Sequence, residues 1–353
     1  MNMQKSAIFG GKRRVRISSQ SLKRAMRTSD YYQQHFGVAS IRTRDHQELK
    51  TKLLSELQGR YDEAVISQAI DWIIKDEKKE DAKKEASADA KEKEKKIPLA
   101  PWVIEEVAYF CEQIKQGEAS DLDAKKLGKQ IEKDSQGLRQ AIGTAKDIAL
   151  SGRMATSGLM SEVGKVDGAM AIAHVITTHT VDADIDWFTA VDDLQSQGSG
   201  HLDTQEFSSG VFYRYASLNI KQLQENLGDV SREEALNVAK HILHLLATIV
   251  PSAKQQSHAA HNVADLALVS FSDLPISLAN AFETPIRAAQ NGGFLQPSIK
   301  ELLAYWQKAN HKYSLEESVA LFSLRDTETP ENVKQLDTLE NLKAWIANDT
   351  QEK

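Results

Sequence analysis

Arg14-Val15-Arg16-Ile17 alternates charged and apolar positions, the period of a half-buried strand. The pattern predicts apolar side chains on one face and guanidinium groups on the other. Ser18 or Ser19 then supplies a helix N-cap. Leu22, Ala25 and Met26 follow at the spacing of an apolar helical face, while Lys23 and Arg27, four apart, share another face. Helical spacing continues from His46 to Ile74, returns at Trp102–Gln116, and resumes around Lys125–Leu150. Runs within Ala169–Thr180 read as strands. DADIDWFTAVDDL, the break Gln197-Gly198-Ser199-Gly200 and the returning strand SSGVFYRYASLNI predict a projecting hairpin. SREEALNVAKHILHLLATIV predicts a helix with Ser231 as N-cap and Glu234 at the capping-box position. ADLALVSFSD reads as a further strand and the rest of the C-terminal part as mainly helical. Strands interrupted by helices and long excursions make the fold class α+β with insertions.

Charge changes this picture at one place. The chain has 353 residues and a formal net charge of −6, enough length for one large domain or two modest ones. Yet its first acidic residue is Asp30, preceded by Lys5, Lys12, Arg13, Arg14, Arg16, Lys23, Arg24 and Arg27. Such segregation marks a local anion site, and cations beside a helix N-terminus suit a nucleic-acid backbone. A solvated basic face accounts for the charges equally well. Residues 75–96 are almost wholly Lys, Glu, Asp, Ala and Ser with charges that nearly cancel, which reads as a surface insertion. Lys125, Lys126, Lys129 and Lys133 keep one helical face basic, either toward DNA or toward water. The lone cysteine, Cys111, lies in an amphipathic helix and is expected to pack as a small apolar residue. No apolar run spans a bilayer and no secretory signal opens the chain, so a cytoplasmic protein with no membrane partner is expected.

Candidate chemistry is sparse. Asp182, Asp184 and Asp186 alternate along a strand and, with Asp192 and Asp193, offer ligands for a magnesium ion that cleaves phosphodiesters. Ile185 and Trp187 on the other side give the ordinary pattern of a half-exposed strand. His241 and His244 lack the carboxylate of a zinc hydrolase, and Ser208-Ser209-Gly210 lacks the context of a nucleophile elbow. Gly10-Gly11-Lys12 is not a phosphate loop. The expectation is a protein with no catalytic residues, no metal and no cofactor.

Five blocks, in order, carry a resemblance: FGGKRRVRISSQSLKRAMR, ALSGRMATSGLMSEVGKVDGAMAIAHVITTH, VDADIDWFTAVDDLQSQGSGHLDTQEFSSGVFYRYASLNI, TIVPSAKQQSHAAHN and FLQPSI. Together they resemble the backbone subunit of type I-E CRISPR Cascade, the CasC family. The resemblance implies a modified RRM-like palm with a helical finger insertion and a thumb-like β-hairpin. Residues 1–45 would be the N-terminal part of the palm and 46–150 the finger, carrying the insertion 75–96. Residues 151–353 would be the rest of the palm, with the thumb at about 186–213. Family members carry a further N-terminal segment with the first palm strand, whose absence would leave an exposed sheet edge.

The implied function is noncatalytic. Copies assemble head to tail on a CRISPR RNA beside other Cascade subunits, and the guide pairs with invading DNA. Ser18, Gln20, Lys23, Arg24, Arg27 and Lys254 are implied as phosphate and sugar contacts, joined in the RNA-binding set by Arg153 and Lys165. Phe188, Thr189 and Leu202 would flank a guide nucleotide, with Met154 as an apolar wedge. Lys125, Lys126 and Lys129 match a family helix that touches DNA nonspecifically, with Glu132 where another lysine is expected. The competing reading is a metal-dependent CRISPR-associated nuclease using Asp182, Asp184 or Asp186. A standalone RNA-binding regulator is the third.

Overall fold

The computed structural model describes residues 4–43, 45–74, 100–117, 135–154, 164–182, 184–191 and 199–349. Lys125, Lys126, Lys129 and the stretch 75–96 lie outside them. The chain divides into two units: Met1–Met26, Ile172–Ser217 and Lys240–Lys353 form the first, Arg27–Ala171 and Leu218–Ala239 the second.

The first unit opens on a β-hairpin. Ser6–Phe9 pairs antiparallel with Lys12–Ile17, Phe9 opposite Lys12, so the loop is Gly10-Gly11 alone. Both glycines have positive φ, +57° and +68°, the conformation a two-residue turn of this hand requires. The hairpin joins Val175–Thr177 and Phe212–Tyr213, all antiparallel, in a four-stranded sheet. Asp184–Val191 and Ser199–Phe207 form a long separate hairpin. The returning strand therefore starts at Ser199, and Phe212–Tyr213, expected within it, is a member of the first sheet instead.

A second sheet joins the expected strand to two short strands of the otherwise mainly helical C-terminal part. Leu266–Phe271 pairs antiparallel with Ser318–Ser323, which pairs in parallel with Val333–Leu336. The helix Leu295–Tyr313 places Ile299, Leu303 and Trp306, four and three apart, against Val319, Leu321 and Val333. The Trp306 indole donates to Glu317 at 3.1 Å, so its one polar group is satisfied.

In the second unit, helices His46–Leu57, Glu63–Ile74, Ile104–Gly117 and Gln136–Gly143 share one apolar core. Leu49, Leu53 and Leu57 supply one stripe at four-residue spacing; Ile66, Ile70 and Ile73 supply another. Cys111 is buried in this core as expected, and burial pushes its thiol up to about 11, far from thiolate chemistry. Asp45 caps the first of these helices, accepting from the backbone N–H groups of Gln47 and Glu48. The capping box also forms. Glu234 N–H donates to Ser231 Oγ and Ser231 N–H to Glu234 Oε2, each at 3.2 Å, at the start of Arg232–Thr248.

Candidate nucleic-acid interface

The cationic opening segment is used in two different ways. Lys5, Lys12 and Arg13 are exposed, with Arg13 3.8 Å from Glu206. Arg14 departs from the alternation: its side chain is fully buried. Its Nη1 donates to Thr177 O at 3.1 Å and its Nη2 to Phe282 O and Glu283 O at 2.8 and 3.3 Å, and its guanidinium lies over the Phe9 ring. Burial lowers its pKa from the ordinary arginine value, and the charge of Glu283 opposes that shift. Arg14 is therefore an internal brace between the first hairpin and the turn Ala279–Phe282, not part of an exposed guanidinium face.

The helix Ser19–Arg27 follows, with no acidic residue in its first turn. Leu22 and Met26 are buried, as the spacing predicted, and Ala25 is half-buried. Ser19 N–H donates to His174 Nδ1 at 3.0 Å, which fixes the start of the helix against the turn before Val175–Thr177. Of the residues implied as guide contacts, Gln20 and Arg24 are exposed and Lys23 is half-buried, while Ser18 is buried.

Lys254 is exposed and left-handed, with φ +61°, immediately before the single turn Gln255–His258. That turn lies on the long hairpin: His258 stacks on Phe207, ring centroids 4.9 Å apart, and Gln205 donates to Ser257 Oγ at 3.3 Å. Lys254 is thereby held beside the strand that carries Leu202. In the hairpin register Thr189 stands opposite Leu202, and Phe188 opposite Asp203. Two of the three residues implied around one nucleotide are thus direct strand partners.

Sequence reasoning offered two readings of the alternating aspartates. Asp182, Asp184 and Asp186 are all exposed. Asp184 stands opposite Phe207 and Asp186 opposite Gln205, so neither has a carboxylate partner across the strand. Among the described residues no three His, Cys, Asp or Glu side chains come together as a metal site. Asp192 and Asp193 lie outside the described residues. No helix among the described residues is long and apolar enough to cross a membrane.

In the second unit Met154 is 82% exposed. An apolar side chain this exposed is not part of the core and is available as a wedge. Arg153, next to it, corrects an expectation. Its side chain is buried, forked onto Glu106 through two 2.8 Å hydrogen bonds, with Nε donating to Gly164 O at 2.8 Å. All three nitrogens of the guanidinium donate inside the protein and the side chain is buried, so Arg153 serves as an internal tie to Glu106 rather than an exposed cation. Lys165 is exposed, 3.7 Å from the exposed Asp167. Arg27 is largely covered: Nη1 donates to Ser40 O at 3.1 Å and Nε lies 3.9 Å from Asp147.

The chain matches the family model of CT1975-like proteins over residues 1–348. Among solved structures it is similar to a chain of a "CRISPR RNA-guided surveillance complex, pre-nicking", at 26% identity and a TM-score of 0.73, covering 99% of this chain and 94% of that one. It is also similar to a chain of a "CRISPR RNA-guided surveillance complex" at 21% identity and a TM-score of 0.57, covering 99% and 92%, a likeness of fold. No curated protein matches it.

Proposed function

Because the chain belongs to the CT1975-like protein family, we propose that it is the noncatalytic backbone subunit of a type I-E CRISPR RNA-guided surveillance complex. Copies polymerise along the guide RNA and present it for pairing with invading DNA. The observation that carries this reading is the end-to-end likeness, covering 99% of this chain, to a chain of a surveillance complex with the same mixed α+β fold. The finer assignment to type I-E rests on the five ordered sequence blocks, and the palm, finger and thumb of that family are proposed with it.

A backbone subunit must hold any spacer, so it grips phosphate and sugar and leaves sequence to base pairing. Exposed Gln20 and Arg24, half-buried Lys23, and Lys254 beside the long hairpin suit that grip. An exposed Met154 suits a wedge that interrupts stacking.

The test is the salt dependence of guide binding. Lys23→Ala is expected to lower the slope of log K against log salt by about 0.7, as for one lost single-strand phosphate contact. The loss should be equal on guides of unrelated sequence. A loss confined to one guide sequence contradicts backbone recognition.

A further inference from the structure

We propose that Arg42 is a further phosphate contact, held beside Arg27 by the buried carboxylate of Asp147, and that it grips the guide backbone. This rests on the RNA-binding reading above. Arg42 lies in the short strand Ile41–Thr43, beyond the basic opening segment in sequence, and nothing in the charge pattern marks it.

Asp147 is 4% exposed, in the first turn of the helix Lys146–Ser151. Ser40 engages both of its oxygens: the Ser40 N–H donates to Oδ1 at 2.9 Å and the hydroxyl to Oδ2 at 2.6 Å. Both guanidinium groups approach that same Oδ2, Arg42 through Nη2 at 3.2 Å and Arg27 through Nε at 3.9 Å. Two cations around one carboxylate leave one positive charge uncompensated within the trio. Neighbouring Tyr32 does not cancel it: burial first, then the charge of Asp147, push its phenol up, so it stays neutral.

The two arginines differ in what they have left to give. Arg27 is 17% exposed and also bound to Ser40 O, whereas Arg42 is 35% exposed and has a single hydrogen bond among the described residues, through Nη2. A guanidinium carries five N–H donors, so most of the Arg42 fork remains for an outside acceptor. An arginine serving Asp147 alone would gain more from a two-bond fork on the carboxylate. The single contact anchors Arg42 through Nη2 and leaves its other N–H groups without a hydrogen bond among the described residues, on a side chain that is 35% exposed. The planar, preorganised fork matches phosphate oxygens, which is the chemistry the site would take.

The experiment measures binding of the full chain to a labelled single-stranded guide RNA across a salt series, for wild type, Arg42→Ala, Arg42→Gln and Arg42→Lys. Gln keeps a donor for Asp147 without the charge, so it reports on phosphate binding even if Ala perturbs the fold. Ala and Gln are each expected to lower the salt slope by about 0.7, and Lys to retain it. A steep wild-type slope left unchanged by Arg42→Gln overturns the site while leaving the RNA reading standing. An unchanged slope with fewer subunits per guide also overturns it, placing Arg42 at a contact between copies. A wild-type chain with no salt-dependent RNA binding overturns the RNA reading and the site together.

Discussion

Glu106→Ala is expected to destabilise the protein by about 3–5 kcal/mol, the range for removing one partner of a buried ion pair. Glu106 is 1% exposed and Arg153 6%, and two parallel 2.8 Å hydrogen bonds join them. The variant would leave a buried guanidinium with Gly164 O as its acceptor. Most of the loss comes from that stranded charge rather than from the pair's own net worth, because both ions give up hydration on folding. The double change Glu106→Leu with Arg153→Met should therefore recover most of the stability. Urea unfolding of wild type, single and double variants checks this. A loss below about 1 kcal/mol in the single variant, the usual ceiling for an exposed pair, would contradict the buried arrangement. So would a double variant weaker than the single one.

Gly10→Ala carries the second large effect. A Cβ there would sit 1.8 Å from the carbonyl oxygen of Glu283, a backbone atom that cannot swing aside. The residue also has φ +57°, where an L side chain adds its own strain. Relief requires the hairpin and the turn after Ala279–Phe282 to separate, which pulls Arg14 from Phe282 O and Glu283 O. Strain and overpacking together are expected to cost about 2–5 kcal/mol. Gly11→Asn is the control: φ is +68° but no atom lies within 4 Å, and asparagine suits this turn. Its effect should stay within about 0.5 kcal/mol, the range of neutral surface changes. Equal melting temperatures for the two variants would contradict the close approach of the hairpin to Glu283.

The contrast between these residues shows what the sequence could reveal. Local rules worked where the partner lies within one turn: the Ser231–Glu234 box and the apolar face of Leu22 and Met26 were legible from spacing. The Gly10-Gly11 turn is equally local, a two-glycine loop between strand-like runs, and its signal is that of a hairpin rather than of a phosphate loop. Val319 and Leu321 belong to a strand buried at three successive positions, Val319, Ala320 and Leu321, so it carries no alternation to read.

The fate of the arginines was not legible at all. Alternation assigns Arg14 to solvent, but its acceptors come from Thr177, Phe282 and Glu283, far along the chain. Arg153 is likewise claimed by Glu106, 47 positions away. A basic residue in a family motif and a buried structural cation look identical until the tertiary partners are known. Arg42 is the converse case, a cation without a pattern that the fold draws toward Arg27 through a shared carboxylate.

A subunit that polymerises on a guide through backbone contacts has a copy number set by guide length, and the mass of the assembled complex reads that number. The chain would be co-expressed with CRISPR RNAs of two spacer lengths and the complexes weighed by native mass spectrometry. The account expects the number of copies to rise with guide length. The same small number of copies on both guides would contradict it and indicate a discrete RNA-binding protein.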